Sequence, residues 1–330
     1  MRAVVIHPGF LGDTVFLGPA VRALEARWPE ARIAVCTTPR GAPVARLLPG
    51  CDEVVVFDKR GGDGGLSGLF RAGRALRRFA PELALVSHTS VRSGALAWLS
   101  GAPSRIGYAP IFCTERVALD RSRPFVDRAL TLAVRAGASG ADRELRLNAP
   151  ADLASYADRM LEGSGRLLVG LIPGAEWQTK RWGAEKFALL ASGLHARGAT
   201  LLLLGGPGDR AIASRIQDLA GIPIRDSTGN SIEEAIALLA RCQLVVGGDT
   251  CLVHCARALG RKVLILFGPT DPARHVFHPD HHPVRLGLDC QPCHRHGPKI
   301  CPLEHHNCMN LLGASAVLEV AGALLDAPRP

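Results

Sequence analysis

Three glycine-containing segments of this 330-residue chain place polar side chains where an apolar run gives way to a helical pattern. The first is His7-Pro8-Gly9-Phe10-Leu11-Gly12-Asp13-Thr14. Asp13 stands at a helix start, with Gly12 and Thr14 beside it in the loop. A carboxylate there either caps the first backbone N–H groups or takes a proton from an incoming hydroxyl at the rim of a ligand site. The segment has neither the full G-x-G-x-x-G fingerprint nor G-x-x-x-x-G-K-[ST], which disfavours a P-loop NTPase. The second segment, residues 172–182, sets Lys180-Arg181 between Trp177 and Trp182. Lysine is a compact point charge suited to phosphate; the other reading is a surface loop with Trp182 packed at a helix start. The third runs Val245-Val246-Gly247-Gly248-Asp249-Thr250-Cys251-Leu252-Val253-His254. Free N–H groups and a partial positive charge at a helix start suit a diphosphate. Thr250 and its neighbouring amides can donate, Asp249 suits sugar hydroxyls, and His254 lies one turn in on the face of Thr250. Alternatively, Asp249 or Thr250 is only a cap and His254 a core histidine.

Two further groups stand out. Cys290-x2-Cys293-x7-Cys301-x6-Cys308 has zinc-like spacing at its first pair and lacks a second C-x2-C. Eight of the twelve histidines lie between His275 and His306, so a structural Zn²⁺ or Fe–S site competes with reduced cysteines in a C-terminal loop. The N-terminus does not have the shape of a secretory leader, so a disulfide scaffold is not expected in a chain of this length. Arg71, Arg74, Arg77 and Arg78 share roughly one face of a helical stretch. Residues 1–150 carry 21 Lys/Arg against 13 Asp/Glu, whereas residues 151–330 carry 18 against 17. Nearly all of the net charge of +9 therefore sits in the first half. That points to an anionic partner or to a solvated arginine face.

The elements that must position these residues alternate strand and helix. Residues 3–6, 32–37, 53–57, 83–87 and 105–108 read as strands, with helices at 13–28, 41–48, 69–79 and 91–99 and a glycine-rich loop at 61–68. The second half repeats the rhythm. Strands are expected at 167–172, 200–204, near 224, at 244–247 and at 262–267. Helices are expected at 184–197, 209–220, 231–241 (opened by a Ser231-x-x-Glu234 capping box), 251–259 and 311–325. Residues 148–152 read as a linker. The fold class is α/β, with two Rossmann-like domains, 1–150 and 151–330, facing a cleft. Composition is 47% hydrophobic and 21% charged, ordinary globular usage that excludes disordered and fibrous classes. No run approaches the roughly 18 apolar residues of a membrane span, so a cytoplasmic protein is expected, free to touch a membrane surface.

In order and spacing, these segments resemble the ADP-heptose:lipopolysaccharide heptosyltransferases, glycosyltransferase family 9. The resemblance is carried by Gly12-Asp13 with the following Leu24-Glu25-Ala26-Arg27-Trp28-Pro29, and by His88-Thr89-Ser90-Val91-Arg92-Ser93 and Arg105-Ile106-Gly107-Tyr108. Pro173-Gly174 through Lys180-Arg181-Trp182, Gly248-Asp249-Thr250 through His254, Phe267-Gly268-Pro269-Thr270-Asp271-Pro272 and the stretch ending Cys308-Met309 complete it. The resemblance implies a glycosyltransferase-B architecture, an acceptor-side first domain, a nucleotide-sugar-binding second domain, and a terminal helix that returns toward the first. It implies Asp13 as general base, Lys180 on the donor phosphates and Asp249 on the donor sugar. Thr250, Cys251 and His254 would line the diphosphate, with Asn230 near the nucleotide. Position 251 is Cys where the family usually has Gly, and Glu176 and Gln178 occupy a stretch often richer in small hydroxyl residues. A single inverting displacement without an obligatory catalytic metal is expected. The partners would be an ADP-heptose-like donor and an anionic glycolipid acceptor, with peripheral contact at the inner leaflet and no nucleic acid. The rival readings are a same-fold transferase using another nucleotide-sugar, a Cys/His metal-containing nucleic-acid-binding protein, and a degenerate transferase kept as a scaffold.

Overall fold

In the computed structural model, which describes residues 1–59, 61–62 and 64–327, the chain forms two α/β units. One comprises Met1–Asn148 with Arg274–Val276; the other comprises Ala149–Ala273 with Phe277–Pro330. Asp63, within the expected loop at 61–68, lies outside the described residues, as does the C-terminal end of the 151–330 stretch.

Unit 1 holds β1 (Arg2–Ile6), α1 (Leu11–Val15), α2 (Gly18–Arg27), β2 (Arg32–Thr37), α3 (Ala42–Arg46), β3 (Glu53–Val56) and α4 (Gly65–Phe79). It continues with β4 (Leu83–Val86), α5 (Val91–Leu99), β5 (Ser104–Gly107), β6 (Glu115–Arg116) and α6 (Asp127–Arg135). Its parallel sheet runs β3-β2-β1-β4-β5-β6. The single helix expected at 13–28 is two helices, because Pro19 in the first turn of α2 has no N–H to continue the ladder from α1. Helix α4 starts at Gly65 rather than at 69, so the expected loop at 61–68 is shorter than its composition suggested.

Unit 2 holds α7 (Ala154–Met160), β7 (Leu168–Ile172), α8 (Ala184–Ala196), β8 (Thr200–Gly205), α9 (Arg210–Ala220), β9 (Ile224–Thr228) and α10 (Ile232–Leu239). It continues with β10 (Leu244–Gly248), α11 (Cys251–Ala258), β11 (Lys262–Leu266), β12 (His281–Val284), α12 (Asn307–Asn310) and α13 (Ala314–Asp326). Its parallel sheet runs β12-β11-β10-β7-β8-β9. The Ser231 hydroxyl accepts from the Glu234 amide, and the Glu234 carboxylate accepts from the Ser231 amide, the reciprocal cap read from sequence. The terminal helix α13 packs on α8 in this unit, with Val317, Ala321 and Leu324 in its core. Strands β6 and β12 and helices α6 and α7 have no counterpart in the sequence reading. Glu115–Arg116 and His281–Val284 are short and lack an apolar run, so their strand geometry comes from pairing with β5 and β11.

In both sheets every strand pair is parallel, and the central strands are buried on both faces. In each sheet the order reverses once, between β1 and β4 and between β7 and β10. At such a switch point the connections leave in opposite directions, which opens a crevice beyond the carboxyl ends of the strands. Leu171, in β7, is fully buried in the core of unit 2. Leu171→Ala is expected to cost about 2–5 kcal/mol, read as a lowered urea midpoint; an unchanged midpoint would contradict that packing.

Candidate active site

Both clusters of chemically capable residues lie at these switch points. In unit 1, His7 follows β1 and Ser87 and His88 follow β4. The His7 ring is buried between its partners: Nδ1 lies 3.2 Å from the Ser87 hydroxyl and Nε2 lies 3.5 Å from Asp13 Oδ2. Asp13 sits in the first turn of α1, its side chain 18% exposed. A Cβ at Gly9 would fall 2.4 Å from His7 Nε2, so glycine is needed there for the turn to pass over the imidazole. Asp13, His7, Ser87, Phe16, Phe125 and Arg128 line one small pocket. At about 10 Å³ the pocket has room for roughly one water molecule.

Gly12 and Thr14 belong to helix α1, not to a loop. Thr14 is turned inward, fully buried, with its hydroxyl 3.4 Å from that of Thr37. This corrects the expectation of an acceptor-side loop at these two positions; the helix begins at Leu11, two residues earlier than the pattern suggested.

In unit 2 the loop after β7 meets the loop after β10. Lys180 Nζ donates to Asp249 Oδ2 at 2.7 Å and to the Asp249 carbonyl at 3.0 Å. His254 Nε2 lies 2.9 Å from Asp249 Oδ1, and Arg257 Nη1 lies 3.2 Å from His254 Nδ1. Guanidinium only donates, so His254 Nδ1 is the acceptor and its Nε2–H donates to Asp249. The row Arg257–His254–Asp249–Lys180 thus has every donor direction defined. Burial pulls the Arg257 pKa down to about 10, and the Asp249 charge opposes that shift. Its guanidinium carbon also lies 5.0 Å from the centre of the Phe277 ring. A Cβ at Gly248 would fall 2.8 Å from the Lys180 carbonyl, so the two loops approach this closely only over glycine.

Thr250 is the residue before α11, and its side chain does not cap the helix; its hydroxyl is buried without a partner. The first amides of α11 are therefore left to a ligand or to water. Cys251 opens the helix with Sγ 3.9 Å from Cys255 Sγ. Asn230 is committed elsewhere in the unit, its amide donating to the Tyr156 hydroxyl at 2.7 Å.

The Cys/His-rich stretch is tied to the Lys180 loop. His306 Nε2 donates to the Thr179 carbonyl at 2.7 Å, and the Thr179 hydroxyl donates to the Pro298 carbonyl at 2.5 Å. All ten cysteines are unbridged thiols. Burial pushes the Cys308 thiol up to about 11, helped by the neighbouring thiols Cys293, Cys301 and Cys290. Among the described residues, no three of these four sulfurs come within 4.8 Å of one another. Tetrahedral Zn–thiolate geometry needs sulfurs about 3.8 Å apart, so the donor set is not gathered for a single zinc ion.

The sequence reading missed the positioning role of His7 and Arg257, and it missed Arg128. Spacing held the first two: His7 is six residues before Asp13, and Arg257 is one turn after His254. Arg128 lies on α6, whose pattern was not read as a helix.

Residues 69–302 match the family model described as glycosyltransferase family 9 (heptosyltransferase). The chain belongs to glycosyltransferase family 9. Among its relatives, lipopolysaccharide heptosyltransferase 2 of Salmonella typhimurium is 29% identical over 294 residues, 82% of this chain and 84% of that protein. Lipooligosaccharide heptosyltransferase 2 of Campylobacter jejuni is 23% identical over 98% of each chain. The family 9 glycosyl transferase of Veillonella parvula superposes with a TM-score of 0.90 at 22% identity, covering 98% of this chain and 97% of that one. The Escherichia coli ADP-heptose lps heptosyltransferase II superposes at 0.79 and 23% identity, covering 98% of each chain. This family 9 member is a glycosyltransferase, and it shares the α/β glycosyltransferase-B fold of those structures.

His88, beside His7, gives this family 9 enzyme a pH signature. Burial lowers its pKa from 6.5 to about 4, with His7 and Lys59 adding to the shift and Asp13 opposing it. The unfolded chain takes up that proton near pH 6.5, whereas the folded chain resists it until about pH 4. Stability is therefore full above about pH 6.5, falls between pH 6.5 and 4, and stops falling on this account below that. His88→Gln should flatten the decline of the unfolding midpoint over this window; identical slopes in both proteins would remove the assignment.

Proposed function

We propose that the protein transfers a heptose from ADP-heptose to a lipopolysaccharide inner-core acceptor, with Asp13 as general base and inversion at the anomeric carbon. The observation that carries the reading is the Lys180–Asp249–His254 array beside the uncapped start of α11. The relatives named above as heptosyltransferases support the choice of donor and acceptor.

Two of the three ammonium N–H bonds of Lys180 are committed to Asp249, and the third faces an anionic oxygen of the diphosphate. Thr250 donates its buried hydroxyl, and the amides of Cys251 and the following residues meet the phosphates along the helix axis. Asp249, held in place by Lys180 and His254, faces the hydroxyls of the donor sugar. Asp13 takes the proton of an acceptor hydroxyl as that oxygen bonds to the anomeric carbon. The bond to the diphosphate breaks on the opposite face, and ADP leaves with the negative charge that Lys180 and the α11 amides stabilise. Protein groups meet the phosphate charge, so transfer needs no obligatory metal. In this reading the enzyme works at the cytoplasmic face of the inner membrane.

The test is transfer of heptose from ADP-heptose to a heptose-deficient lipopolysaccharide acceptor. Asp13→Asn should lower the rate by about 10²–10⁴ and leave ADP affinity unchanged by calorimetry. Lys180→Ala should weaken ADP-heptose binding itself. EDTA should leave the wild-type rate unchanged. Tight binding of a UDP- or GDP-sugar instead of ADP-heptose would overturn the choice of donor.

A further inference from the structure

Helix α4 does not behave like an ordinary surface helix. Its fifteen residues, Gly65–Phe79, contain no acidic side chain and four arginines. The inward face, Gly68, Leu69, Ala72, Gly73, Leu76 and Phe79, is buried. Leu66, Ser67, Phe70, Arg71, Arg74, Arg77 and Arg78 are all exposed. At 100° per residue these seven fall within about 140° of the helix circumference. They make one continuous face in which two large apolar side chains lie among four cations. Leu66 is 73% exposed and Phe70 58%.

The apolar flank of this face is not isolated. A Cβ at Gly73 would fall 2.6 Å from Leu99 Cβ, so α4 leans on α5 along the edge that Gly73 occupies. On the helical wheel, Leu66, Arg77 and Phe70 come next to that edge. Both helices cover the same face of the unit 1 sheet, since Leu69, Leu76, Ala95 and Leu96 share one core. Their outer faces therefore look the same way. Next to Leu99, Trp98 is 54% exposed, and its ring lies 5.8 Å from that of Phe112, itself 37% exposed. Ile111 is 51% exposed.

We infer that the outer face of α4, extended by Trp98, Ile111 and Phe112, docks unit 1 onto an anionic bilayer surface. Apolar and aromatic side chains enter the headgroup boundary while arginines at the same level meet lipid phosphates; this is the chemistry of an interfacial helix. A purely solvated arginine face would not expose Leu66 and Phe70 among the cations. Among the described residues no helix is long and apolar enough to cross a membrane. The inference goes beyond the transfer reaction, because it assigns a surface that needs neither donor nor acceptor.

Sedimentation of the full-length protein with vesicles tests it. Vesicles of phosphatidylglycerol and phosphatidylcholine should bind the protein, pure phosphatidylcholine vesicles should bind much less, and added salt should release it. Each basic residue near such a surface is worth roughly fivefold in partitioning. Arg74→Gln with Arg78→Gln should therefore weaken binding by roughly 25-fold. Leu66→Ser with Phe70→Ser should weaken it even at low salt, where the charges are intact. Both variants should keep the wild-type affinity for ADP, which separates loss of docking from loss of folding or of donor binding. Equal binding to neutral and anionic vesicles, no binding to either, or wild-type binding by both variants would overturn the proposal. So would binding to an oligonucleotide without binding to anionic vesicles.

Discussion

A carboxylate withdrawn from water at the end of a buried strand must be met by donors, or it will not stay ionised. Asp249 is in that position, and much of unit 2 is arranged around it. Lys180 and His254 each engage one of its oxygens, and Arg257 fixes the His254 tautomer from behind. The partners come from two parts of the chain: Lys180 from the turn after β7, His254 and Arg257 from successive turns of α11. Removing any one of them leaves a buried polar group short of a partner, a loss larger than the net worth of the bond. The array therefore acts as a unit that holds its geometry before any ligand arrives.

Sheet topology supplies the meeting place. In a parallel sheet, consecutive loops at the carboxyl ends normally lie over neighbouring crossovers and stay apart. At the reversal between β7 and β10 the two loops leave in opposite directions and their first residues lie side by side. Gly248 then allows the Lys180 carbonyl to approach. Unit 1 repeats the device at β1 and β4, where His7, Ser87 and His88 converge behind Asp13. The two units share little obvious sequence pattern in these loops, and the common feature is the crevice.

The Cys/His-rich stretch has a structural part in this arrangement. Through Pro298 and His306 it holds Thr179, the residue before Lys180. Gln291 adds contacts to the carbonyls of Phe267 and Gly268 at the end of β11. A long irregular segment with few backbone partners of its own is thereby pinned to the loops it borders. Lys180 inherits its position from that clamp.

The sequence by itself determined the alternation of strands and helices, because apolar runs of four to six residues and helical periodicity are local properties. It also determined Asp13, Lys180, Asp249 and His254 as candidates, since each stands in a loop after an apolar run or one turn into the helix that follows. It could not place the break at Pro19 in a long amphipathic pattern with certainty of register, nor find β6 and β12, whose strand geometry exists only through pairing. The inward turn of Thr14, the commitment of Asn230 to Tyr156 and the spread of the four sulfurs were equally hidden. The positioning roles of His7 and Arg257 were decided by tertiary structure alone. A histidine tautomer or a carboxylate's partner depends on which atoms lie within about 3 Å, and residues 69 positions apart, such as Lys180 and Asp249, reach that distance only after the sheet has closed.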